Sequence, residues 1–303
     1  YNIYQPVFTQ KHLAVFSFFN GWLVGELALH AIAVQVAGTL LFVWAGAVTG
    51  WPGAAGLALC LASWAGLGYY TLQARQTSAE VEKSLREGLG EQYEQDIDSG
   101  FKATFDSPLS PERLIMPHKG LRSPRVETFK NLVYAEVDGL RLKLDIRRNR
   151  DYQPGSPVLL QIHGGAWTYR MGSKNEQGLP LMNHLAEQGW VCVSIDYRLS
   201  PLATFPDHII DCKRALCWVK EHIAEYGGDP AFIVVTGGSA GGHLSALMAV
   251  TANLAVFQPG FETSDTGVQG CISFYGIYDF LDENGLQTHD GLHHLLEKSV
   301  LKV

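Results

Sequence analysis

Gly237-Gly238-Ser239-Ala240-Gly241 is the stretch of sequence that decides the fold. The apolar run 231–235 precedes it and is typical of a buried strand, whereas 243–248 follows it with a helical pattern. A serine between a strand and a helix, with glycines around it, can occupy a turn so sharp that its Oγ is exposed at the end of the sheet. We therefore predict that Ser239 is a nucleophile.

A second motif lies upstream, where the short apolar strand 158–162 runs directly into the residues His-Gly-Gly-Ala-Trp at 163–167. Acyl transfer needs backbone N–H donors aimed at the developing oxyanion, and the loss of one costs roughly 3–4 kcal/mol. Glycines let the backbone approach the substrate carbonyl, and the N–H after the nucleophile is the partner donor. Alone, this motif is equally typical of a strand-ending turn. Together with the serine motif it predicts an oxyanion hole of Gly164, Gly165 and Ala240.

These motifs and the segments between them, over about residues 132–280, resemble the α/β-hydrolases. The resemblance is closest to the hormone-sensitive-lipase-like and feruloyl-esterase-like (BD-FAE) carboxylesterases. The matching segments are VDGL at 137–140, LDI at 144–146, HGGAW at 163–167, DYRLSP at 196–201, FP at 205–206, YGGDP at 226–230 and GGSAGGH at 237–243. The resemblance implies a serine carboxylesterase that cleaves short or medium acyl esters through an acyl-serine intermediate and needs no metal or organic cofactor.

The chain departs from many members of that family at Ala166, where they have a third glycine. The combination of Ala166 with Trp167 resembles the feruloyl-esterase-like and kynurenine-formamidase-like branch. A formamidase-like amide hydrolase therefore stays open as an alternative to an esterase.

The pattern of strands and helices predicts the same fold class. Strands are predicted at 140–147, 158–162, 191–195, 232–236 and 271–275, and helices at 179–188, 209–224 and 240–251. Such alternation implies an α/β fold with a mostly parallel sheet and helices on both faces. We assign residues 125–303 to this catalytic domain.

The N-terminal quarter has a different composition, because no Asp, Glu, Lys or Arg occurs from Leu27 to Leu72. A bilayer-spanning helix needs about 20 apolar residues. We predict a membrane region over 1–75, with transmembrane helices at about 27–49 and 54–72 joined by a tight turn at 50–53. The alternative is a buried helical pair in a soluble cap domain.

Residues 76–124 connect the membrane region to the catalytic domain. The first part, 76–98, is highly charged and has an apolar stripe at helical spacing, and the second part, 101–124, contains four prolines. We predict an amphipathic helix followed by a linker. The helix is equally compatible with a position on the membrane and with a solvated connector.

Basic residues on one side of the predicted hairpin suggest its orientation. Lys11, Arg75, Lys83 and Arg86 all flank the hairpin ends, whereas the turn between the helices carries no charge. The positive-inside rule then predicts a multi-pass membrane protein whose catalytic domain lies in the cytoplasm.

Composition limits the partners. The formal net charge of −7 argues against nucleic acid. The five cysteines include Cys212 and Cys217 on one predicted helix, a spacing that fits neither a disulfide framework nor a metal site. We predict an ester substrate and the lipid bilayer as partners, and neither a metal nor an organic cofactor.

The base and the acid of a catalytic triad are not evident. In this family they follow two further strands, yet 64 residues follow Ser239 and they contain one predicted strand, 271–275. The tail 286–303, which carries His289, Asp290, His293 and His294, has helical spacing instead. We expect a chain truncated at both ends, whose triad acid and base lie beyond residue 303.

Three other polar residues near the motifs are expected to be structural. His243 should pack beside the turn, His163 should shape the oxyanion loop, and Asp279 follows a strand where the family begins its cap region. Because no base is identified, a catalytically silent hydrolase-fold scaffold remains as a second class of function.

Overall fold

The computed structural model describes residues 2–7, 11–97, 115–169, 171–281, 283, 285 and 294–302. The chain divides into two compact units, Tyr1–Ser110 and Pro111–Val303. The first unit is helical and the second contains the sheet.

The described part of the first unit contains four α-helices: α1 (Lys11–Glu26), α2 (Ala28–Trp44), α3 (Trp51–Ala74) and α4 (Thr77–Leu89). The continuous helical stretch Trp51–Leu89 is 39 residues long and is apolar enough, over 18 of its residues, to cross a membrane. Phe16–Glu26 and Ala28–Trp44 meet the same criteria only when taken together, and they are bent by 92° where they join. By length and composition, the described residues thus contain one candidate span, and a second only if the bent pair counts as one.

The turn between α2 and α3 lies earlier than predicted. Helix α2 ends at Trp44, and the left-handed Gly46, with a φ of 82°, leads into a 3₁₀ turn at Ala47–Thr49. The expected turn residues Trp51 and Pro52 instead form the start of α3. Proline suits the first helical turn, because the N–H that it lacks would have no partner there. The predicted second span, 54–72, lies wholly within α3.

Helix α4 matches the first half of the predicted amphipathic segment. It ends at Gly90, whose φ of 99° is accessible mainly to glycine. Arg86 forms an ion pair of 2.6 Å with Glu82, one helical turn earlier. The rest of the predicted segment includes a 3₁₀ turn at Tyr93–Gln95, and most of the predicted linker lies outside the described residues.

The second unit is built on one six-stranded sheet with the order β1-β2-β4-β3-β5-β6. The strands are β1 (Val126–Val137), β2 (Leu140–Asn149), β3 (Ser156–Ile162), β4 (Val191–Ile195), β5 (Gly228–Gly238) and β6 (Gly270–Phe274). Strands β4, β3, β5 and β6 are parallel, whereas β1 and β2 are antiparallel additions at one side. The predicted mostly parallel sheet is confirmed, and β1 is a strand that the sequence pattern did not reveal.

Three helices connect the parallel strands: α5 (Leu179–Glu187), α6 (Asp207–His222) and α7 (Ala240–Val250). Alternate residues of the central strands contribute to two separate apolar clusters. One cluster contains Leu160 and Ile162 with residues of α6 and α7, and the other contains Leu159 with residues of α5. Helices therefore cover both faces, which explains why β3 and β4 read as continuous apolar runs.

The C-terminal segment closes over part of the same core. Leu296–Leu301 forms a π-helical turn, in which Leu296 and Val300 are buried. The backbone N–H of Phe205 donates to the carbonyl of Val300 at 2.8 Å. A helix was predicted over the whole tail, but residues 286–293 lie outside the described part of the chain.

Candidate active site

Ser239 occupies the turn between β5 and α7 in a strained backbone conformation. Its φ of 55° and ψ of −120° are unusual for a residue with a side chain. Its N–H donates to the carbonyl of Phe274 at 3.0 Å, and its own carbonyl accepts the N–H of His243 at 2.9 Å. Ser239 is partly exposed, whereas its neighbours Gly238 and Ala240 are buried. The turn therefore presents the serine side chain at the carboxyl end of the parallel strands.

The glycines around Ser239 permit contact between two backbones. A Cβ at Gly237 would lie 2.6 Å from the carbonyl oxygen of Ile162, at the end of β3. A Cβ at Gly241 would collide with that same oxygen and would lie 2.7 Å from the carbonyl oxygen of His163. The serine turn thus lies directly against the end of β3, where the second motif begins.

The structure brings Gly164 of the second motif together with Ser239. A Cβ at Gly164 would lie 3.3 Å from the Cβ of Ser239 and 2.5 Å from the carbonyl oxygen of Gly238. The following residues Gly165, Ala166 and Trp167 have φ values of 117°, 52° and 58°. Such consecutive left-handed residues are rare, and they turn the backbone sharply beside the serine.

The three predicted oxyanion donors differ in their hydrogen bonding. The N–H of Gly164 donates to the Oε1 of Gln177 at 2.6 Å. Among the described residues, no hydrogen bond engages the N–H of Gly165 or that of Ala240. The positive end of the α7 macrodipole also begins at Ala240, and this favours negative charge at the turn. The backbone N–H groups of Gly165 and Ala240 can therefore donate to a ligand, whereas the N–H of Gly164 already donates to Gln177.

The side chain of His163 contacts the same loop through the carbonyl of Gly164. Its Nδ1 lies 2.7 Å from the carbonyl oxygen of Gly164, so Nδ1 is the protonated nitrogen. The ring stacks on Tyr197 with 4.5 Å between centroids, and the Tyr197 hydroxyl donates to the His163 carbonyl at 3.0 Å. Burial lowers the pKa of His163. A neutral His163 thus supports the loop, in the position that the sequence suggested.

His243 packs against aromatic rings. Its ring centroid lies 5.4 Å from that of Trp167 and 4.7 Å from that of Phe280. Burial lowers the pKa of His243 to about 4. In the described portion of the chain no histidine side chain is hydrogen-bonded to the Ser239 hydroxyl, whereas His289, Asp290 and His293 of the tail lie outside it. The described residues thus identify no base for the serine.

The DYRLSP segment holds the loop after β4 to helix α6. Arg198 donates from Nε to Oδ2 of the buried Asp211 at 2.8 Å and from Nη2 to Oδ1 at 3.0 Å. The backbone N–H of Arg198 binds the same carboxylate at 3.0 Å. Because three donors of Arg198 bind one buried carboxylate, the Arg198–Asp211 interaction fixes the position of this loop.

Gln177 contacts the site through the N–H of Gly164, and Lys174, in the same loop, binds Asp145; sequence analysis missed both residues. They lie in the loop between the second motif and α5, at positions where no spacing or motif distinguishes them from ordinary surface residues. In the described ranges, no group of three or more His, Cys, Asp or Glu side chains is close enough together to hold a metal ion.

Comparison with known proteins identifies relatives of the whole arrangement. The BD-FAE family model matches residues 144–302. The probable carboxylic ester hydrolase LipM of Mycobacterium tuberculosis is 42% identical over 99% of this chain, which spans 69% of LipM. The esterase LipQ of the same organism is 51% identical over 52% of this chain, which spans 37% of LipQ.

A solved structure supports the fold. A truncated form of a carbohydrate esterase from gut microbiota superposes with a TM-score of 0.50 at 24% identity, covering 56% of this chain and 65% of that one. At this identity the likeness concerns the fold alone. Together with the match to the family model and the serine turn, it shows that the chain belongs to the BD-FAE family of carboxylesterases, with an α/β-hydrolase fold.

Proposed function

We propose that this protein is a serine carboxylesterase that cleaves short or medium acyl esters through an acyl-serine intermediate on Ser239. The observation that carries the proposal is the strained backbone of Ser239 between β5 and α7, in contact with Gly164. Strain of this kind persists where the surrounding structure enforces it, and it is concentrated at functional sites. The names of the relatives LipM and LipQ support the ester as the substrate class.

In the proposed reaction Ser239 Oγ attacks the ester carbonyl, and its proton passes to a base. The carbonyl oxygen becomes an oxyanion, which accepts hydrogen bonds from the N–H groups of Gly165 and Ala240. Collapse of this intermediate breaks the ester C–O bond, and the protonated base gives its proton to the leaving alcohol oxygen, so the acyl group stays on Ser239. Water then attacks the acyl-serine and gives a proton to the base, and the acid leaves as that proton returns to Ser239 Oγ. Gly164 contributes by close backbone approach, because its N–H is bound by Gln177.

We propose that the base and its orienting carboxylate come from outside the described residues. The neutral side chains of His163 and His243 have other contacts, and neither ring is hydrogen-bonded to the Ser239 hydroxyl. His289→Ala with His293→Ala in the full-length protein tests whether the tail supplies the base. Activity within about twofold of wild type assigns the base elsewhere, whereas a loss of about 10⁴-fold or more would place it in the tail.

We further propose that the helical unit anchors the enzyme in a membrane, with α2 and α3 as a hairpin and the catalytic unit on the cytoplasmic side. Trp44 and Trp51, at the two sides of the α2–α3 turn, are 86% and 83% exposed. Tryptophan is enriched at membrane interfaces. A Cβ at Gly53 of α3 would collide with the carbonyl oxygen of Ala47, so this small residue permits close approach at the α2–α3 turn. Retention of the protein in carbonate-washed membranes tests the anchoring, and release into the supernatant would refute it.

The activity is tested by hydrolysis of p-nitrophenyl esters with acyl chains of two to about ten carbons. Wild-type protein should hydrolyse the shorter esters, and Ser239→Ala should lower kcat by about 10⁴-fold or more. Ser245→Ala is a matched control, because this buried serine lies on the same helix and bonds to the carbonyl of Gly242. Equal loss in both variants would contradict a role for Ser239 as the nucleophile.

A further inference from the structure

The peptide beside the proposed nucleophile is fixed by a side chain from another loop. The N–H of Gly164 donates to Gln177 Oε1 at 2.6 Å. A Cβ at Gly164 would lie 3.0 Å from the same Oε1 and 3.3 Å from the Cβ of Ser239. Gln177 Oε1 and the Cβ of Ser239 therefore both lie next to the space that a side chain at residue 164 would occupy.

The next peptide along the chain, 164–165, is fixed as well. The Gly164 carbonyl is bound by His163 Nδ1 at 2.7 Å. A Cβ at Gly172 would collide with this carbonyl, so the backbone of the loop that carries Gln177 passes directly over it. Both polar groups of Gly164 are thus engaged, and the N–H of the next residue, Gly165, is held in one orientation.

The loop that carries Gln177 is itself anchored by a buried charge. Lys174 is 3% exposed, and its Nζ lies 2.9 Å from Oδ1 of the fully buried Asp145 on β2. The same ammonium donates to Oδ1 of Asn131 at 3.1 Å. The backbone N–H of Lys174 also donates to Oδ1 of Asp196 at 3.0 Å. Three side chains from β1, β2 and the end of β4 therefore hold Lys174 in place.

Buried ion pairs have stringent geometry, because both charges have lost their water and need their partners at close range. Lys174 lies three residues before Gln177, so its placement limits where the Gln177 carboxamide can reach. This arrangement connects the sheet to the peptide beside Ser239 through one short loop.

We propose that Gln177 is a positioning residue for the oxyanion hole, and that the buried Lys174–Asp145 pair holds it in place. Gln177 holds the 163–164 peptide and so fixes the position of Gly164. His163 Nδ1 holds the carbonyl of the following peptide, and together they aim the N–H of Gly165 at the oxyanion. Oxyanion donors act because they are oriented before the reaction begins, so loss of this support lowers kcat more than it raises KM. The inference rests on the proposed esterase function, but its structural part can be measured without any activity.

The first test is hydrogen–deuterium exchange of the full-length protein. Gln177→Leu removes the acceptor, and Gln177→Glu keeps one. We expect Gln177→Leu to raise the exchange rate of peptides that cover 163–169 by about 10-fold or more, with Gln177→Glu close to wild type. Unchanged exchange in Gln177→Leu would overturn the proposal.

Gln269 provides a matched control, because its Oε1 accepts the backbone N–H of Ile233 at 2.8 Å, in the middle of β5. Gln269→Leu removes the same kind of hydrogen bond far from Ser239 along the strand. It should leave exchange over 163–169 unchanged. An equal increase in both variants would mean that any lost carboxamide bond loosens the fold, and would overturn the specific role of Gln177.

The second test is kinetic. We expect Gln177→Leu to lower kcat by about 10-fold or more with KM within about threefold of wild type, while Gln269→Leu retains both values. Wild-type kcat in a Gln177→Leu variant would overturn the proposal. If wild-type protein hydrolyses no ester, the proposed function fails, and the exchange experiment still decides whether Gln177 orders the peptide.

The role of the Lys174–Asp145 pair in holding the Gln177 loop is tested with substitutions of two buried lysines. Lys174→Met should raise exchange over 163–169 as Gln177→Leu does. Lys213→Met removes a buried lysine that donates to the carbonyl of Thr251 and to Thr266 Oγ1, and should leave that segment protected. Protection of 163–169 in a folded Lys174→Met protein would overturn the anchoring role.

Discussion

The two units of the chain use apolar residues in opposite ways. In the helical unit Trp44 and Trp51 are 86% and 83% exposed, and many further large apolar side chains of α1 to α3 are exposed with them. In the sheet unit Trp167 is 1% exposed, and the central strands contribute buried residues to two apolar clusters, one on each face of the sheet. Apolar side chains thus form closed cores in the sheet unit and an open apolar surface in the helical unit.

The difference indicates that the two units are suited to different solvents. Soluble domains rarely leave extended apolar surface uncovered, and such surface marks contact with a membrane or another protein. The sheet unit buries its apolar surface by itself, because helices cover both faces of its sheet. The helical unit does not, which is what the proposed membrane anchor requires.

Truncation of one leucine in each unit should give the largest contrast in stability. Leu160 on β3 is fully buried, and Leu160→Ala should lower the free energy of unfolding by about 2–5 kcal/mol. Leu59 on α3 is 73% exposed, and Leu59→Ala should change the free energy of unfolding by less than about 0.5 kcal/mol. Denaturant unfolding in mild detergent measures both values. Equal effects would show that the two units do not differ as described.

A charge at an exposed leucine tests whether the exposed surface meets lipid or water. Leu59→Asp should disfavour membrane insertion by about 3 kcal/mol and shift protein to the soluble fraction. Leu202 in the sheet unit is 89% exposed, so Leu202→Asp should leave the distribution unchanged. Unaltered membrane retention of the Leu59→Asp variant would argue that this face of α3 lies in water.

Glycines provide a third comparison. A Cβ at Gly241 would collide with the end of β3, and Gly241→Ala should destabilise the sheet unit by about 1–3 kcal/mol and displace Ser239. Nothing lies within 4 Å of a Cβ at Gly56 in α3, so Gly56→Ala should be neutral or stabilise by up to about 1 kcal/mol. Thermal unfolding and ester hydrolysis measure the two effects. A stable, fully active Gly241→Ala variant would contradict the close contact.

Buried histidines should make the stability of the sheet unit sensitive to mild acid, and this is the smallest of the four predicted effects. Burial lowers the pKa of His208 to about 4, with Asp207 opposing the shift and Arg198 and His243 adding to it. The unfolded chain, with a histidine pKa of about 6.5, binds the proton more readily, so stability falls as the pH drops from about 6.5 to 4.

Between pH 7 and pH 5.5 this difference amounts to about 1 kcal/mol for His208. His208→Asn should therefore remove about 1 kcal/mol of the pH-dependent loss, and denaturant midpoints at the two pH values measure it. An identical pH dependence in wild type and variant would show that His208 titrates normally in the folded state.

Sequence patterns revealed the parts of the fold in which one periodicity dominates. The buried strands β3, β4 and β5 read as apolar runs, and Ser239 stood out because its motif lies at a strand end. Strand β1 was missed because its register shifts between Phe129 and Leu132, where Asn131 adopts a φ of 57°. That irregularity interrupts the alternation by which half-buried strands are recognised.

Features that depend on contacts between distant segments could not be read in advance. Gln177 meets Gly164 only because the loop folds back over it, and no pattern in the sequence records that approach. The end of α2 at Trp44 was misplaced for a related reason, since the apolar run continues to Thr49 and only the left-handed Gly46 stops the helix.

Covalent labelling with a fluorophosphonate, followed by peptide mapping, tests the central claim most directly. The probe reacts with an activated serine and imitates the tetrahedral intermediate of acyl transfer. In the full-length protein we predict one adduct, on Ser239, that is absent from Ser239→Ala and retained in Ser245→Ala. An adduct on another residue, or no adduct in wild-type protein, would contradict the account of Ser239 as the nucleophile of this site.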